Sequence, residues 1–286
     1  MQAISFALIA FIGWGIGDIL GGLVARKTNG YSSAVLNYFF CIVFASLYIP
    51  FALPELRNMT LGTGLWLMVL LPIGIIPLVA LYEGISRGNA SLVGTVAGSF
   101  GALVSILSVL FLGESLNIFQ VFCIVIVLAG IICSSINLKN INIHKLLSDK
   151  GLPFALVSLV TWGIYFTFVK IPIEQVGWFW PAYISWWGFP IVLLYLRRKQ
   201  IKISIPKDKK YIIFVILNSL VSIMALFSFN LAVAKGNSSI IAPIASSYPA
   251  LFALLAYFVF KDRLTKQQIL GMIVTLVGII SLSLLA

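Results

Sequence analysis

Charged residues are scarce in this sequence, and their scarcity excludes a water-soluble fold. Only 9% of the 286 residues are Asp, Glu, Lys or Arg, whereas soluble domains carry about 25%. Hydrophobic residues make up 61% of the chain, so a soluble fold would lack the polar surface to cover itself. The chain is long enough for ten spans of about 20 residues each. We therefore predict an all-α integral membrane protein.

Histidine and cysteine are also rare, which excludes several kinds of chemistry. The one histidine, His144, lies in a polar stretch, so the spans hold neither an HExxH zinc site nor a Ser-His-Asp triad. Cys41, Cys123 and Cys133 lie in apolar runs without CxxC spacing, which argues against disulfides and metal centres. The chain contains no GxxxxGK[ST] phosphate loop. We predict no metal, no cofactor and no enzymatic activity.

Apolar runs separated by short loops predict ten transmembrane helices. Prolines inside several of these runs predict kinks that face protein or a cavity. The predicted helices 1 to 10 cover residues 3–25, 31–53, 63–86, 89–112, 117–137, 151–172, 177–196, 211–234, 238–260 and 266–285.

The sequence repeats itself after a shift of 148 residues, without gaps. FALIAFIGWGI at 6–16 aligns with FALVSLVTWGI at 154–164, and 14 of the 45 residues in 88–132 are identical to their counterparts in 236–280. We therefore divide the chain into a first repeat (1–138), a linker (139–148) and a second repeat (149–286). Five helices per repeat is an odd number, so the second repeat must enter the membrane from the opposite side. Inverted repeats with a site at their interface are typical of secondary transporters.

Two stretches also carry a family resemblance. The first reads LYEGISRGN (81–89) and then LVSILSVLFLGESL (103–116); the second reads LAVAKGNSS (231–239), SSYPALFALLAYFVFKDRL (246–264) and QQILGMIVTLVGII (267–280). They resemble the two EamA domains of the drug/metabolite transporter superfamily. The resemblance implies a central cavity lined by helices 1, 3, 4, 6, 8 and 9, with helices 5 and 10 as buttresses. Proline is common in the middle of helices 4 and 9 of that family, but here Pro249 has Gly101 as its counterpart, so symmetric kinks are not predicted.

Together these features favour a secondary-active transporter that exports small organic metabolites or drugs by alternating access. The alternatives are facilitative uptake or exchange of sugars or other metabolites, and, with less support, an integral-membrane lipid-modifying enzyme or a non-transporting scaffold. Its expected partners are a small-molecule substrate, the lipid bilayer and H⁺ as a coupling ion. The protein is expected to be a monomer or a homodimer.

Two carboxylates within the spans are candidates for proton coupling. Asp18 follows Trp14 by one helical turn, so both side chains share a face, and a carboxylate within a span usually faces a cavity or a partner. Its counterpart in the second repeat is Phe166. Glu83 is the second candidate, with an i,i+4 ion pair to Arg87 as the alternative; Lys170 has Glu174 at the same spacing.

The remaining candidate residues are aromatic or small and polar. Cavity lining and helix packing are both open for the polar ones, because a polar group in lipid needs a partner. Trp14 and Trp162 occupy equivalent positions in the two repeats, which favours a shared cavity. The predicted substrate-binding residues are Trp14, Asp18, Asn37, Tyr82, Ser99, Trp162, Tyr165, Trp186, Asn230 and Tyr248.

Lys and Arg concentrate on one side of the predicted membrane. Sixteen of the 19 lie in the loops after the odd-numbered helices, and three, Arg57, Lys170 and Lys235, lie on the other side. Because positive charge resists translocation, we predict a plasma-membrane protein with cytoplasmic odd-numbered loops and external termini. The net charge of +11 is explained in this way without a nucleic-acid partner.

A single cysteine placed within 200–208, in a variant lacking Cys41, Cys123 and Cys133, tests this orientation. An impermeant thiol reagent should label it only after the cells are permeabilised, because the loop faces the cytoplasm. Ready labelling on intact cells would overturn the orientation but leave the helix count unchanged.

Overall fold

The computed structural model describes residues 1–88, 90–135, 148–260 and 265–286. His144 and four of the predicted basic-loop residues (Lys139, Lys145, Lys261 and Arg263) lie outside these ranges. Ten helices within the described ranges are long and apolar enough to cross a membrane, which confirms the predicted fold. We number them α1 (Gln2–Ala25), α2 (Gly30–Asn58), α3 (Leu61–Arg87), α4 (Leu92–Phe111), α5 (Ile118–Ser135), α6 (Leu152–Val176), α7 (Phe179–Arg198), α8 (Lys209–Lys235), α9 (Ser238–Val259) and α10 (Lys266–Leu284).

The helix ends lie within a few residues of their predicted positions, because local capping sets them. The side chains of Asn29, Thr60 and Thr265 accept hydrogen bonds from backbone N–H groups in the first turns of α2, α3 and α10. Such caps satisfy donors that have no partner within the helix. The largest difference is in α2, which continues past residue 53 as a 3-10 turn with a proline near its start, a position where proline fits a helix.

Helices α4 and α9 are both interrupted, and the interruptions are symmetric. The α-helical geometry breaks at Ser99 in α4 and at Ser247 in α9, positions that differ by the repeat shift of 148. The prolines did not predict this symmetry, because Pro249 of α9 has Gly101 as its counterpart in α4. In both repeats the serine hydroxyl donates to the carbonyl four residues earlier, of Thr95 at 2.8 Å and of Pro243 at 2.5 Å. This bond competes with the helical ladder and bends helices.

Close contacts at glycine fix the helices around these breaks. Gly98 leaves room for Pro249, and a Cβ at Gly101 would overlap the backbone of Ala242 at 2.8 Å. On α1, a Cβ at Gly13 would lie 2.7 Å from Cβ of Ala225, so α1 packs tightly on α8. Helices α5 and α10 pack against each other through Gly130 and Gly278, which are counterparts in the repeat.

The two ends of the bundle carry different loops. At one end Asn29 Nδ2 donates to the carbonyl of Lys202 at 3.2 Å, which joins the loops after α1 and α7; we call this end the basic face. At the other end, the opposite face, Gln120 Nε2 donates to the carbonyl of Leu285 at 2.9 Å. The carboxyl terminus therefore lies at the opposite face.

A buried ion pair at the opposite face caps α9. Lys170 pairs with Glu114 at 2.6 Å, rather than with Glu174 as its spacing suggested. The Glu114 carboxylate also accepts from the N–H groups of Ser238 and Ser239 at 2.9 and 2.8 Å. Burial opposes ionisation of Glu114, but Lys170 and these N–H groups outweigh it and hold the pKa of the carboxyl below its usual range. One side chain thus anchors α9 to the α4–α5 loop and to α6.

Replacing Glu114 with Gln should destabilise the protein by about 3 kcal/mol, because Lys170 then loses its partner in a mostly buried position. Thermal unfolding in detergent, followed by tryptophan fluorescence, measures the loss. Glu174→Gln is the matched control, since Glu174 is exposed, and it should leave the midpoint unchanged.

The same pair predicts a pH dependence with a defined sign. The folded-state pKa of Glu114 is lowered, so its contribution is complete above the usual glutamate pKa of about 4.3 and is lost as pH falls through the folded-state value. The stability difference between wild type and Glu114→Gln should therefore be full at neutral pH and disappear in strong acid. A difference that is independent of pH would contradict this.

Candidate functional site

A cavity of about 220 Å³ lies between the two repeats. Eight of the ten helices contribute to its wall, and α5 and α10 contribute none of the described lining residues. The resemblance implied six of these helices; α2 and α7 are additions, because their polar and aromatic side chains also reach the cavity. The lining residues are Trp14, Asp18, Asn37, Tyr38, Gly74, Leu78, Leu81, Tyr82, Phe100, Trp162, Tyr165, Phe166, Ser185, Trp186, Ser222, Leu226 and Tyr248.

The cavity lies on the axis that relates the two repeats. Fourteen of the seventeen lining residues form seven pairs separated by the repeat shift of 148. An internal shift taken from the sequence therefore maps one wall of the cavity onto the other. The pairs are Trp14 and Trp162, Asp18 and Phe166, Asn37 and Ser185, Tyr38 and Trp186, Gly74 and Ser222, Leu78 and Leu226, and Phe100 and Tyr248.

Asp18 carries the only formal charge among the described lining residues. Its side chain is exposed within the cavity, and no described residue forms a hydrogen bond or an ion pair with it. The hydroxyl groups of Tyr82 and Tyr248 lie within electrostatic range of the carboxyl group. Its counterpart Phe166 stacks on Phe100 at 4.9 Å between ring centroids. The repeat therefore places a carboxylate on α1 and an aromatic ring at the equivalent position of α6.

Trp14 is the centre of the aromatic wall. Its ring lies 5.5 Å from Phe229, 5.6 Å from Phe166 and 5.8 Å from Tyr248 between centroids. The equivalent Trp162 lies 5.6 Å from Phe100. Phe100 and Tyr248 are the first residues after the breaks in α4 and α9, so the two interruptions place an aromatic ring on each side of the axis.

Asn37 both lines the cavity and joins two helices. Its Nδ2 donates to Ser222 Oγ at 3.2 Å, and Ser222 in turn donates to Asn218 Oδ1 at 3.4 Å. The amide in α2 and the hydroxyl in α8 therefore satisfy each other across the helix interface. Both alternatives considered for Asn37, cavity lining and helix contact, hold at once.

Two predicted substrate-binding residues, Ser99 and Asn230, are not among the described lining residues of the cavity. Ser99 uses its hydroxyl to bend α4, and the neighbouring Phe100 lines the cavity instead. Asn230 is 1% exposed, and its Nδ2 donates to the carbonyl of Trp178 at 2.8 Å. A nearby backbone carbonyl accepts from each side chain, whereas Asn230 Oδ1 is buried without a partner among the described residues. The other eight predicted residues all line the cavity.

Glu83 differs from Asp18 because its partners are all present. It accepts from Tyr31 at 3.1 Å and Tyr195 at 2.6 Å, and it pairs with Arg87 at 2.7 Å. It is 8% exposed and is absent from the cavity lining. Glu83 therefore connects α2, α3 and α7 near the basic face. It forms the i,i+4 ion pair with Arg87 that was the alternative to proton coupling.

The cavity extends toward the basic face and is closed toward the opposite face. Leu81 and Tyr82, near the basic end of α3, line it. Their counterparts near the opposite end of α8, Phe229 and Asn230, are 0% and 1% exposed. Trp178 packs on Phe227 beside them, at 4.9 Å between ring centroids. Equivalent positions thus line the cavity in the first repeat and are buried in the second.

Comparison with known proteins agrees with this architecture. The model of the EamA-like transporter family matches residues 1–136 and 149–284. An uncharacterised protein of Methanocaldococcus jannaschii is 28% identical over 137 residues, which cover 48% of this chain and 98% of that protein.

A solved crystal structure also has the same fold. It superimposes with a TM-score of 0.82 at 14% identity, covering 99% of this chain and 97% of the other. Because the family model matches both halves of a chain that folds as two five-helix repeats around one cavity, the chain belongs to the EamA-like transporter family.

Proposed function

We propose that this protein is a secondary-active transporter that exports small organic metabolites or drugs by alternating access. The observation that supports it is the cavity on the axis between the repeats, with seven pairs of equivalent residues in its wall. Two inverted repeats can exchange conformations, so a site on their axis faces each side of the membrane in turn. Members of the EamA-like family are transporters, and the axial cavity provides such a site.

The asymmetry of the cavity is compatible with export. Leu81 and Tyr82 open it toward the basic face, which the charge distribution predicts to be cytoplasmic. A solute would therefore enter from the cytoplasm in this conformation. Closure at Phe229 and Asn230 would be released in the alternate conformation, in which the two repeats exchange roles. Entry from the cytoplasm and release in the alternate conformation are both parts of the export proposal.

Asp18 is the proposed coupling group, and Glu83 is not. Asp18 faces the cavity without an ion-pair partner in the described structure, so it can exchange a proton or a ligand with the cavity. Glu83 is held by Arg87 and two tyrosine hydroxyls. The other ionisable groups that line the cavity around Asp18 are the hydroxyls of Tyr38, Tyr82, Tyr165 and Tyr248.

Asp18→Asn should abolish transport driven by a pH gradient and leave solute exchange measurable, because the amide keeps the shape but binds no coupling proton. Proteoliposomes loaded with a metabolite extract, with and without a gradient, are compared by mass spectrometry. Asp208→Asn is the control: Asp208 caps α8 in a loop, and asparagine caps equally well. Wild-type pH dependence in Asp18→Asn would rule out this role.

Trp14→Ala and Trp162→Ala should each reduce transport, since both rings belong to the same cavity wall. In separate variants, cysteine at either position should be protected from small thiol reagents by a transported solute. Trp187→Ala serves as the control, because Trp187 is 49% exposed and does not line the cavity. Labelling that no transported solute changes would assign both residues to packing alone.

A further inference from the structure

The cavity wall combines many aromatic rings with a single negative charge. Nine of its seventeen lining residues are aromatic, and they come from both repeats: Trp14, Tyr38, Tyr82, Phe100, Trp162, Tyr165, Phe166, Trp186 and Tyr248. Asp18 is the one carboxylate, and the described lining residues include no Lys, Arg or His. The wall therefore offers π-electron surface and negative charge but no positive charge.

The carboxylate of Asp18 lacks the counter-charge that the buried carboxylates of Glu83 and Glu114 have. Glu83 pairs with Arg87 and Glu114 pairs with Lys170, whereas Asp18 is exposed in the cavity with no described cation beside it. A carboxylate within a membrane span is costly without a partner. A positively charged ligand would supply the counter-charge that the protein leaves out beside Asp18.

We infer that the cavity binds compact organic cations, amines or quaternary ammonium compounds, with the cationic group at Asp18. This inference rests on the proposed function and names its substrate class. Cations are attracted to the faces of Trp, Tyr and Phe, and aromatic cages recognise quaternary ammonium ligands in this way. An anionic solute would instead meet a like charge in a site with low dielectric, where repulsion is strong.

The arrangement also favours a cation over a sugar. Sugar recognition needs several free hydrogen-bond donors and acceptors, but two of the polar lining groups, Asn37 and Ser222, already bond to each other. A third, Ser185, donates to the carbonyl of Ala182 at 2.7 Å. The groups left for a ligand are mainly rings, tyrosine hydroxyls and the Asp18 carboxylate.

The lining residues also indicate the kind of ligand. Asp18 lies within electrostatic range of the hydroxyls of Tyr82 and Tyr248, and the stacked rings of Phe100 and Phe166 line the same cavity. A ligand with a cationic head and a short apolar body matches this combination of one carboxylate and apolar rings. The volume of about 220 Å³ lies below the roughly 300–1,000 Å³ of drug-sized pockets, so the body is small.

Matched probes separate charge from shape. Choline and 3,3-dimethylbutan-1-ol have the same shape, but the alcohol has a neutral carbon in place of the cationic nitrogen. Benzyltrimethylammonium adds an apolar ring, and benzoate reverses the charge. Binding to the purified full-length protein in detergent is measured by quenching of tryptophan fluorescence, since Trp14, Trp162 and Trp186 line the cavity.

Choline should bind at least about tenfold more tightly than its neutral isostere, because only the cation gains from the rings and from Asp18. Benzyltrimethylammonium should bind more tightly than choline, and benzoate should not bind. Asp18→Asn should remove the preference for the cation, whereas Asp208→Asn, which also removes one carboxylate, should retain it. Trp14→Phe, which keeps a weaker ring, should weaken choline more than the alcohol.

Equal binding of choline and the alcohol to the wild-type protein would overturn the inference, and this comparison stands even if Asp18→Asn fails to fold. A cation preference that persists in folded Asp18→Asn would also overturn it. Proteoliposome flux separates the two proposals. Asp18-dependent cation binding without flux of any solute would contradict transport and keep the ligand class. Flux of neutral or anionic solutes without cation binding would contradict the ligand class and keep the transport proposal.

Discussion

The cavity depends on one constraint: backbone that leaves the helical ladder inside a membrane must be satisfied by the protein itself. At both interruptions a serine hydroxyl, of Ser99 or of Ser247, donates to the carbonyl four residues earlier. The close approach of α4 and α9 at Gly101 keeps both interruptions inside the bundle. Phe100 and Tyr248 follow directly and face the cavity, so the shape of the site begins with these two bends.

Much of this arrangement could be predicted from the sequence, because the repeat shift carries geometric information. Ten apolar runs correspond to ten helices, and a shift of 148 pairs Trp14 with Trp162 from the sequence alone. A carboxylate one turn from a tryptophan also indicated which face of α1 meets the cavity. These features are either local in the sequence or duplicated within it, so one sequence is enough to detect them.

Other features could not be predicted, because they depend on which groups the fold brings together. Asn230 has the composition of a cavity residue, but its acceptor, the carbonyl of Trp178, is 52 residues away in the sequence. Ser99 donates to the carbonyl four residues earlier, a bond that its composition does not distinguish from cavity lining. The partner of Lys170 is 56 residues away in Glu114, while Glu174 has the better spacing. Asn37 of α2 and Trp186 of α7 were predicted as site residues, but the family resemblance did not place their helices in the wall, and Ser185, the counterpart of Asn37, was not predicted.

The two repeats share the features that shape the cavity, and they differ in the residue that gives the cavity its charge. The two halves share helix breaks, paired aromatic rings and glycine contacts, yet Asp18 has no charged counterpart. If the same wall were built from two identical chains, as in an assembly of proteins only one repeat long, every substitution near the axis would appear twice. Two carboxylates would then face each other across a small cavity, and mutual repulsion would keep one of them protonated. Two halves joined in one chain can differ at equivalent positions, so a single acidic group can line the cavity without a second one opposite it.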